Sequence, residues 1–250
     1  MTEPHVLIVG AGSAGKRHAR NVRTLGARVS LVDSRPDRLD EARTEGDTVS
    51  VFGDLETALA NSRFDGFVIA TPPSLHVSQI LRITREERPW ILCEKPLGLT
   101  ASEAQALQHL NDRILLGYTY RWWPPIQRFR ERLLNGDIGR IRGLRFVMSA
   151  HLADWHPWES YQGFFMADRT LGGGALLDES HFIDLMLWMC PSPQKVYAQV
   201  EKVSDLDINA DDNVEAIISY SDGLRVNMHL DLIGRPHRRT ITALGEGGSL

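Results

Sequence analysis

The sequence has only two cysteines among its 250 residues, Cys93 and Cys190, and they form no C-x-x-C pair. This scarcity argues against a disulfide framework and a cysteine-based metal site, and we predict no bound metal. Neither sign of charge dominates, because 28 basic residues stand against 32 acidic ones, for a net charge of −4. Without a basic field, neither nucleic acid nor an anionic membrane surface is expected as a partner.

Long hydrophobic runs are also missing from the sequence. The longest apolar stretches have about four to eight residues, well short of a membrane-spanning helix. The first residues, MTEPHVLIVG, carry an acidic residue where a signal peptide would be basic. With 42% hydrophobic and 24% charged residues, the composition is globular, and we expect a soluble cytoplasmic protein.

Residues 1–119 alternate short apolar, β-branched runs with helical stretches. The runs are continuously apolar, which is typical of a parallel sheet covered on both faces. They are Val6–Val9, Val29–Val32, Val49–Phe52, Phe67–Ala70, Ile91–Cys93 and Ile114–Leu116. Helices are expected between them, with Ser74 and Thr100 as N-caps. Six such alternations predict a doubly wound α/β domain, the Rossmann type.

Residues 120–250 follow a different pattern. After the glycine run Gly172–Gly174, one long apolar helix is expected over Ala175–Met189, and a shorter helix precedes it at Ile126–Leu134. Ser221–Gly223 is a hairpin signal between two strand-like runs. The predicted strands are Ile141–Ala150, Val196–Val203, Asn213–Tyr220, Leu224–Ile233 and Arg239–Leu244. This half is therefore predicted to be an α+β domain with an open antiparallel sheet.

A Gly10-x-Gly12-x-x-Gly15 motif lies between the first predicted strand and a helix over Ser13–Leu25. There the first glycine allows a tight turn, the second lets a pyrophosphate approach, and the third packs helix on strand. Asp33 closes the second strand, where an acidic residue binds the adenosine ribose. The expected contacts are Gly10, Gly12, Ser13, Ala14, Gly15, Asp33, Ser34 and Arg35.

This pattern predicts NAD as the cofactor. NADP stays possible, because Arg35 could pair with its 2′-phosphate. A glycine-rich connection followed by an ordinary surface aspartate is the structural alternative.

Two more segments follow predicted strands at the edge where ligands of an open parallel sheet bind. The residues expected beside the cofactor are Thr71, Pro72, His76, Glu94 and Lys95. Lys95 is also a candidate proton carrier, because the chain uses arginine 24 times and lysine only 4 times, and lysine can release a proton. A turn that merely ends a strand and an ordinary surface lysine are the alternatives.

The long apolar helix carries ionisable residues. Asp178 and His181 are three residues apart and therefore expected on one face, with Asp184 almost one turn further. Such groups must face a cavity or pair with each other, and a histidine beside a carboxylate is a general acid–base candidate. A buried His–Asp pair that only holds the core explains the pattern equally well.

Four of the six tryptophans lie within the 37 residues 122–158. Aromatic faces suit the apolar faces of sugar rings, although core or subunit contacts explain them as well. The expected substrate contacts are Tyr118, Arg121, Trp122, Trp155, His156, Asp178 and His181.

Together these motifs resemble the Gfo/Idh/MocA family of oxidoreductases. The segments that carry the resemblance are Val6–His18, Ala70–His76, Cys93–Leu97, Gly136–Gly139 and Gly172–Asp184. The resemblance implies a Rossmann domain, here 1–119, followed by a substrate domain, here 120–250, whose open sheet commonly makes the subunit interface. It maps the catalytic lysine onto Lys95, the acid of the catalytic helix onto Asp178 and the histidine onto His181.

Two features depart from the family pattern. The family spacing is Asp-x-x-x-His, whereas Asp178 and His181 are separated by two residues. Members with the shorter spacing and a segment like Asp154–Pro157 resemble those of bacterial surface-sugar pathways. Family members also usually run well past 300 residues, so the chain is a short member or a shortened one.

The resemblance implies an NAD(P)-dependent oxidoreductase that moves a hydride between a sugar or polyol carbinol and nicotinamide. Lys95 or His181 would accept the hydroxyl proton, and Asp178 would orient its neighbours. A non-catalytic dinucleotide-binding regulator and an NAD-dependent glycoside-cleaving enzyme remain as alternatives. We also expect a homodimer or homotetramer, since strands with apolar residues on both faces require a second cover.

Overall fold

The computed structural model describes residues 3–44, 50–85, 87–155, 157 and 159–250. It divides into two compact units, Met1–Gly117 and Tyr118–Leu250. Among the helices of the described residues, none is both long and apolar enough to cross a membrane.

The first unit is the predicted Rossmann fold. Its elements are β1 His5–Val9, α1 Ser13–Thr24, β2 Arg28–Val32, α2 Pro36–Thr44, β3 Ser50–Phe52, α3 Leu55–Asn61, β4 Gly66–Ile69, α4 Pro73–Ile83, β5 Trp90–Cys93, α5 Ala101–Ala106 and β6 Ile114–Leu116. The strand order is β3-β2-β1-β4-β5-β6, and every neighbouring pair is parallel. The doubly wound architecture expected from the alternating runs is therefore confirmed.

The continuous apolar strands are explained by cores on both faces of this sheet. Leu7 and Val9 lie in one buried cluster, whereas Ile8, between them, lies in the other. Because successive side chains of a strand point to opposite faces, a sheet with two cores needs an apolar residue at every position.

One of the two predicted helix caps is wrong. Thr100 caps α5 in a reciprocal capping box with Glu103, as expected. Ser74, however, lies inside α4, whose N-cap is Pro72 and whose first residue is Pro73. Proline suits this first turn, since it lacks the N–H that a cap would otherwise satisfy.

The second unit places helices against a six-stranded sheet. Its elements are α6 Pro124–Leu134, β7 Ile141–Ser149, α7 Ala175–Asp178, α8 Ser180–Met189, β8 Lys195–Glu201, β9 Asn213–Ser219, β10 Arg225–Asp231, β11 Arg238–Gly245 and β12 Gly248–Ser249, with a 3-10 helix at Thr119–Trp122. The strand order is β12-β11-β7-β10-β9-β8. The pairing of β7 with β10 is parallel, so the open sheet is mixed, not antiparallel throughout.

The two faces of this sheet differ. On the core face, Phe146 of β7 packs against Phe182 of α8 at a ring-centroid distance of 6.4 Å. On the other face, Ile217 of β9 and Tyr197 of β8 are 50% and 64% exposed. The open face therefore presents apolar side chains to the surroundings of the unit.

The predicted single helix over Ala175–Met189 is broken at one residue. Glu179 separates α7 from α8, and the N–H of Phe182 donates to the Glu179 carbonyl at 3.0 Å, three residues back. This tight turn interrupts the regular winding between Asp178 and His181. The expectation of one unbroken helix through these two residues is therefore wrong.

Candidate cofactor and catalytic residues

Two glycines of the motif after β1 are required by the packing of the protein itself. Gly10 has a φ of +101°, and a Cβ there would lie 2.6 Å from the carbonyl oxygen of Ala70. A Cβ on Gly15 would lie 1.7 Å from the carbonyl oxygen of Gly10. Their roles in the tight turn and the close helix packing match those predicted.

Gly12 has a different requirement. Its φ is −72°, an ordinary value, and a Cβ would meet nothing closer than the Arg38 guanidinium at 3.5 Å. Helix α1, which it precedes, has no side-chain cap and no acidic residue in its first turn. Since the first N–H groups of a helix attract anions, the start of α1 with Ser13 and Ala14 fits a pyrophosphate.

Asp33 is buried at the end of β2 and braces the glycine turn. Its carboxylate accepts from the Ala11 N–H at 2.8 Å and the Arg35 N–H at 2.9 Å. The Arg38 guanidinium lies 3.3 Å from the same carboxylate. Asp33 therefore links β2, the glycine turn and α2.

Arg38 places its guanidinium near Gly12 and Asp33, whereas the Arg35 side chain has an acidic partner of its own. The Arg35 side chain pairs with Asp37 through contacts of 3.1 and 2.5 Å, and both side chains are exposed. Ser34 is exposed as well. Arg38 was missed because no motif marks it; the α2 helix turns it back toward Gly12.

The segment after β4 is held from inside. The Thr71 hydroxyl donates to the Gln79 side chain at 2.7 Å, and Pro72 begins α4. His76 is fully buried, and its two ring nitrogens lie 2.8 Å from the carbonyl oxygens of Pro96 and Thr71. Direct contact between His76 and a cofactor, as predicted, does not fit this burial.

The segment after β5 joins α1 through a side chain. His18 of α1 lies 2.6 Å from the Glu94 carboxylate, and Arg17 lies 3.8 Å from it. Burial raises the pKa of Glu94, but the His18 hydrogen bond and the nearby cations outweigh it and hold that pKa below its usual value. Lys95 follows directly and is half-buried. No motif signal had marked His18.

In the second unit, His181 lies between two tyrosines. Its ring stacks on Tyr120, with centroids 4.2 Å apart and planes at 11°, and meets Tyr118 edge-on at 5.7 Å. Both tyrosines come from the 3-10 turn after residue 117, and His181 comes from α8. Tyr118 was predicted at the site, whereas Tyr120, which makes the closer contact, was not.

Arg121 is bound to the same helix. Its guanidinium makes a two-point ion pair with Asp184, at 2.7 and 2.5 Å, and lies 5.7 Å from the Trp188 ring centroid. The hydrogen bond to Asp184 raises the pKa of Arg121 above its usual value. Arg121, a predicted substrate contact, thus pairs with a carboxylate of its own unit.

The carboxyl groups near His181 are deeply buried. Asp178 is 5% exposed and Glu179 2% exposed, and Arg239 lies 3.4 Å from Glu179. The start of α7 is fixed by Asp211, whose carboxylate accepts from the Leu176 N–H at 2.9 Å. Asp178 was among the predicted site residues, whereas Glu179, Arg239 and Asp211 were not.

The remaining aromatic residues predicted to contact substrate differ in their exposure to solvent. Trp122 is 69% exposed, and Trp155 is half-buried. His156 lies outside the described residues. Over the described ranges, no group of three or more His, Cys, Asp or Glu side chains could hold a metal ion.

Comparison with known proteins gives a family match over nearly the whole chain. Residues 5–114 match the oxidoreductase family with an NAD-binding Rossmann fold, and residues 126–250 match the GFO/IDH/MocA C-terminal domain. The Rhizopine catabolism protein MocA of Rhizobium meliloti is 29% identical over 76% of this chain and 58% of its own length. An inositol 2-dehydrogenase of Leifsonia xyli subsp. xyli is 29% identical over 77% of this chain and 56% of its own length. The chain thus spans less than two thirds of these relatives.

Solved structures share the fold. The WlbA dehydrogenase from Bordetella pertussis, in complex with NADH and UDP-GlcNAcA, has a TM-score of 0.86 at 22% identity, covering 99% of this chain and 77% of its own. A myo-inositol 2-dehydrogenase from Lactobacillus plantarum has a TM-score of 0.86 at 20% identity, covering 100% and 76%. At these identities the likeness establishes the fold alone.

Proposed function

We propose that this chain, which belongs to the GFO/IDH/MocA family of NAD-binding oxidoreductases, acts as a dehydrogenase on a secondary carbinol of a sugar or polyol. The names of relatives that act on inositol support this substrate class. The observation that carries the proposal is the glycine turn: Gly12 leaves room beside the uncapped start of α1, where a dinucleotide pyrophosphate fits.

The nicotinamide cofactor, when bound, supplies the hydride acceptor or donor. The chain supplies proton transfer and orientation. Lys95 holds the carbinol oxygen and takes its proton at Nζ, because an ammonium can cycle through the neutral amine and arginine cannot. His181, fixed by Tyr120 and Tyr118, is the second proton acceptor, and Asp178 orients it.

The preferred cofactor is NAD. Asp33 places a buried carboxylate at the end of β2, and the Arg38 guanidinium beside it is already paired with that carboxylate at 3.3 Å. A 2′-phosphate would meet the carboxylate at this point. Protein fluorescence titration should show that NADH binds more tightly than NADPH. In Asp33→Asn the two affinities should be closer to each other. Equal affinities for the wild-type chain would remove this role from Asp33.

The activity test is reduction of NAD and NADP, followed by nicotinamide absorbance, across inositols, sugars and nucleotide sugars. We expect turnover with at least one polyol or sugar. Cofactor binding without turnover on any member would favour the regulator alternative. Cleavage of aryl glycosides that requires NAD but gives no net reduction would favour the glycoside-cleaving one.

We further propose that two copies of the chain associate through the open face of the second sheet. Ile217 and Tyr197 are exposed there, and Arg145 and Glu215 put both signs of charge on the same face. Light scattering at micromolar concentration should give a mass above the 28.1 kDa of one chain. A monodisperse monomer would contradict this proposal. The cytoplasmic location stays a prediction from the sequence.

A further inference from the structure

Lys95 lies between Glu94 and Pro96, and each of these two residues contacts a histidine of the Rossmann unit. On one side, the Glu94 carboxylate is bound by His18 at 2.6 Å. On the other, the Pro96 carbonyl oxygen lies 2.8 Å from Nδ1 of His76. The residues on both sides of Lys95 are thus tied to helices of the same unit, Glu94 through its side chain to α1 and Pro96 through its carbonyl oxygen to α4.

His76 also contacts the neighbouring loop. Its Nε2 lies 2.8 Å from the carbonyl oxygen of Thr71, which follows β4. A single imidazole therefore spans the two loops that follow β4 and β5. We infer that His76 is a positioning residue that fixes the Lys95 loop by donating a hydrogen bond to the Pro96 carbonyl.

The burial of the two contacts indicates which nitrogen carries the proton. Burial lowers the pKa of His76, outweighing the two carbonyls that favour its charged form, so the ring is neutral at pH 7. A neutral imidazole has one N–H, and a carbonyl oxygen cannot donate. The contact with Pro96 is fully buried, whereas that with Thr71 is only partly buried. Leaving the Pro96 oxygen without a donor is the costlier choice, since water cannot replace it.

This role rests on the proposed function only for its catalytic consequence, and the test separates the two. An asparagine amide nitrogen overlays Nδ1 of histidine, whereas a glutamine amide nitrogen overlays Nε2. His76→Asn therefore keeps a donor to Pro96, whereas His76→Gln removes that donor and places one opposite Thr71 instead. Asparagine is the smaller side chain and leaves the larger cavity at this buried position, so a role limited to core packing predicts the larger effect for His76→Asn, the reverse of the order expected here.

The first readout needs no turnover. Acetylation rates of the four lysine amines in the full chain, followed by mass spectrometry, report the environment of Lys95, with Lys16, Lys195 and Lys202 as internal references. We expect His76→Gln to change the Lys95 rate severalfold, while His76→Asn leaves it near wild type and the reference lysines do not respond. The exposed His109→Asn is the matched control. Equal Lys95 rates in the two His76 variants would overturn the inference.

A second measurement does not depend on either variant folding. Nitrogen NMR of the wild-type histidine rings should give His76 as the Nδ1–H tautomer, and the Nε2–H tautomer would overturn the inference. On an active substrate, His76→Gln should lower turnover roughly 10- to 100-fold with NADH affinity retained, because small displacements of a reacting group are costly. If no substrate turns over but the lysine and tautomer results hold, the proposed function fails and the positioning role stands.

Discussion

In Met1–Gly117 the residues proposed to bind the cofactor act largely through the main chain, whereas in Tyr118–Leu250 the proposed catalytic groups are side chains. The Gly10–Gly15 turn and the start of α1 offer N–H groups, and His76 holds the Lys95 loop by the Pro96 carbonyl. On α8, by contrast, the contacts are made by side chains: the His181 ring stacks on Tyr120, and Asp184 pairs with Arg121.

The difference has a physical origin. A pyrophosphate is bound well by oriented N–H groups, which any residue offers once the backbone turns correctly, so the sequence is constrained mainly to glycine. A carbinol needs proton acceptors and ring surfaces, which only particular side chains offer. The first kind of site depends on backbone geometry and the second on side-chain chemistry.

The sharpest way to test the main-chain side is to add one methyl group at two glycines. Gly15→Ala should lower the free energy of unfolding by about 3 kcal/mol or more, because the new Cβ would lie 1.7 Å from the Gly10 oxygen. Gly12→Ala, whose Cβ meets nothing closer than 3.5 Å, should cost less than about 1 kcal/mol. It should instead weaken NADH binding at least about tenfold. Denaturant titration and fluorescence titration measure the two effects, and a Gly12→Ala chain with unchanged affinity would contradict the pyrophosphate assignment.

A smaller effect is expected where side chains hold the second unit. Asp184→Asn removes a 10%-exposed carboxylate from the 39%-exposed Arg121 side chain. Thermal unfolding should show that the free energy of unfolding falls by about 1–2 kcal/mol. The effect is no larger because the arginine is accessible to solvent. The control is Asp154→Asn, since Asp154 makes a similar two-point pair with Arg235 in an exposed position. No measurable stability change is expected there, and equal losses in both variants would argue against a special role for the Arg121 pair.

The smallest effect contrasts two histidines. Burial lowers the pKa of His229, but hydrogen bonds to Glu215 and Asp231 outweigh it and raise that pKa above 6.5. Its stabilising contribution is therefore complete below pH 6.5 and is lost as pH rises through the folded value. His76, whose pKa is lowered from 6.5, contributes above pH 6.5 and its contribution is lost as pH falls from there.

The free energy of unfolding, measured for wild type, His229→Gln and His76→Asn from pH 5 to 8, should show these opposite pH dependences. Each should change the free energy by about 1 kcal/mol or less over this range. The difference in free energy of unfolding between wild type and His229→Gln should become smaller toward high pH. The corresponding difference between wild type and His76→Asn should become smaller toward low pH. Slopes of the same sign for both variants would contradict the assigned environments.

The contrast between main-chain and side-chain sites also explains which features could be predicted from the sequence. The six strands, the glycine turn and Asp33 could be found because a main-chain site leaves a short contiguous pattern next to a strand. His18 and Tyr120 could not, because their partners are distant in the chain: His18 meets Glu94, 76 residues away. No local periodicity carries such a pairing. Arg38 is only five residues from Asp33, but no motif marks an arginine at this position.

Two details of the second unit were out of reach for a related reason. The interruption at Glu179 depends on a tight turn that helix-forming residues tolerate, so composition gives no sign of it. The parallel pairing of β7 with β10 depends on long-range topology. The alternation of apolar and polar residues in Ile141–Ser149 and Arg225–Asp231 is the same for a parallel and an antiparallel neighbour. Alternation predicts that a strand exists, not which neighbour it takes.

The most direct test of the proposed dehydrogenase is to measure NADH affinity and turnover together in Lys95→Arg and His181→Asn. Arginine keeps the charge but cannot release a proton, and asparagine removes a proton acceptor from the stack on Tyr120. The account predicts NADH affinities near wild type and turnover lowered about 10²- to 10⁴-fold in each variant. Near-full turnover in both variants would contradict it, because the proton would then have to leave by a route that uses neither residue.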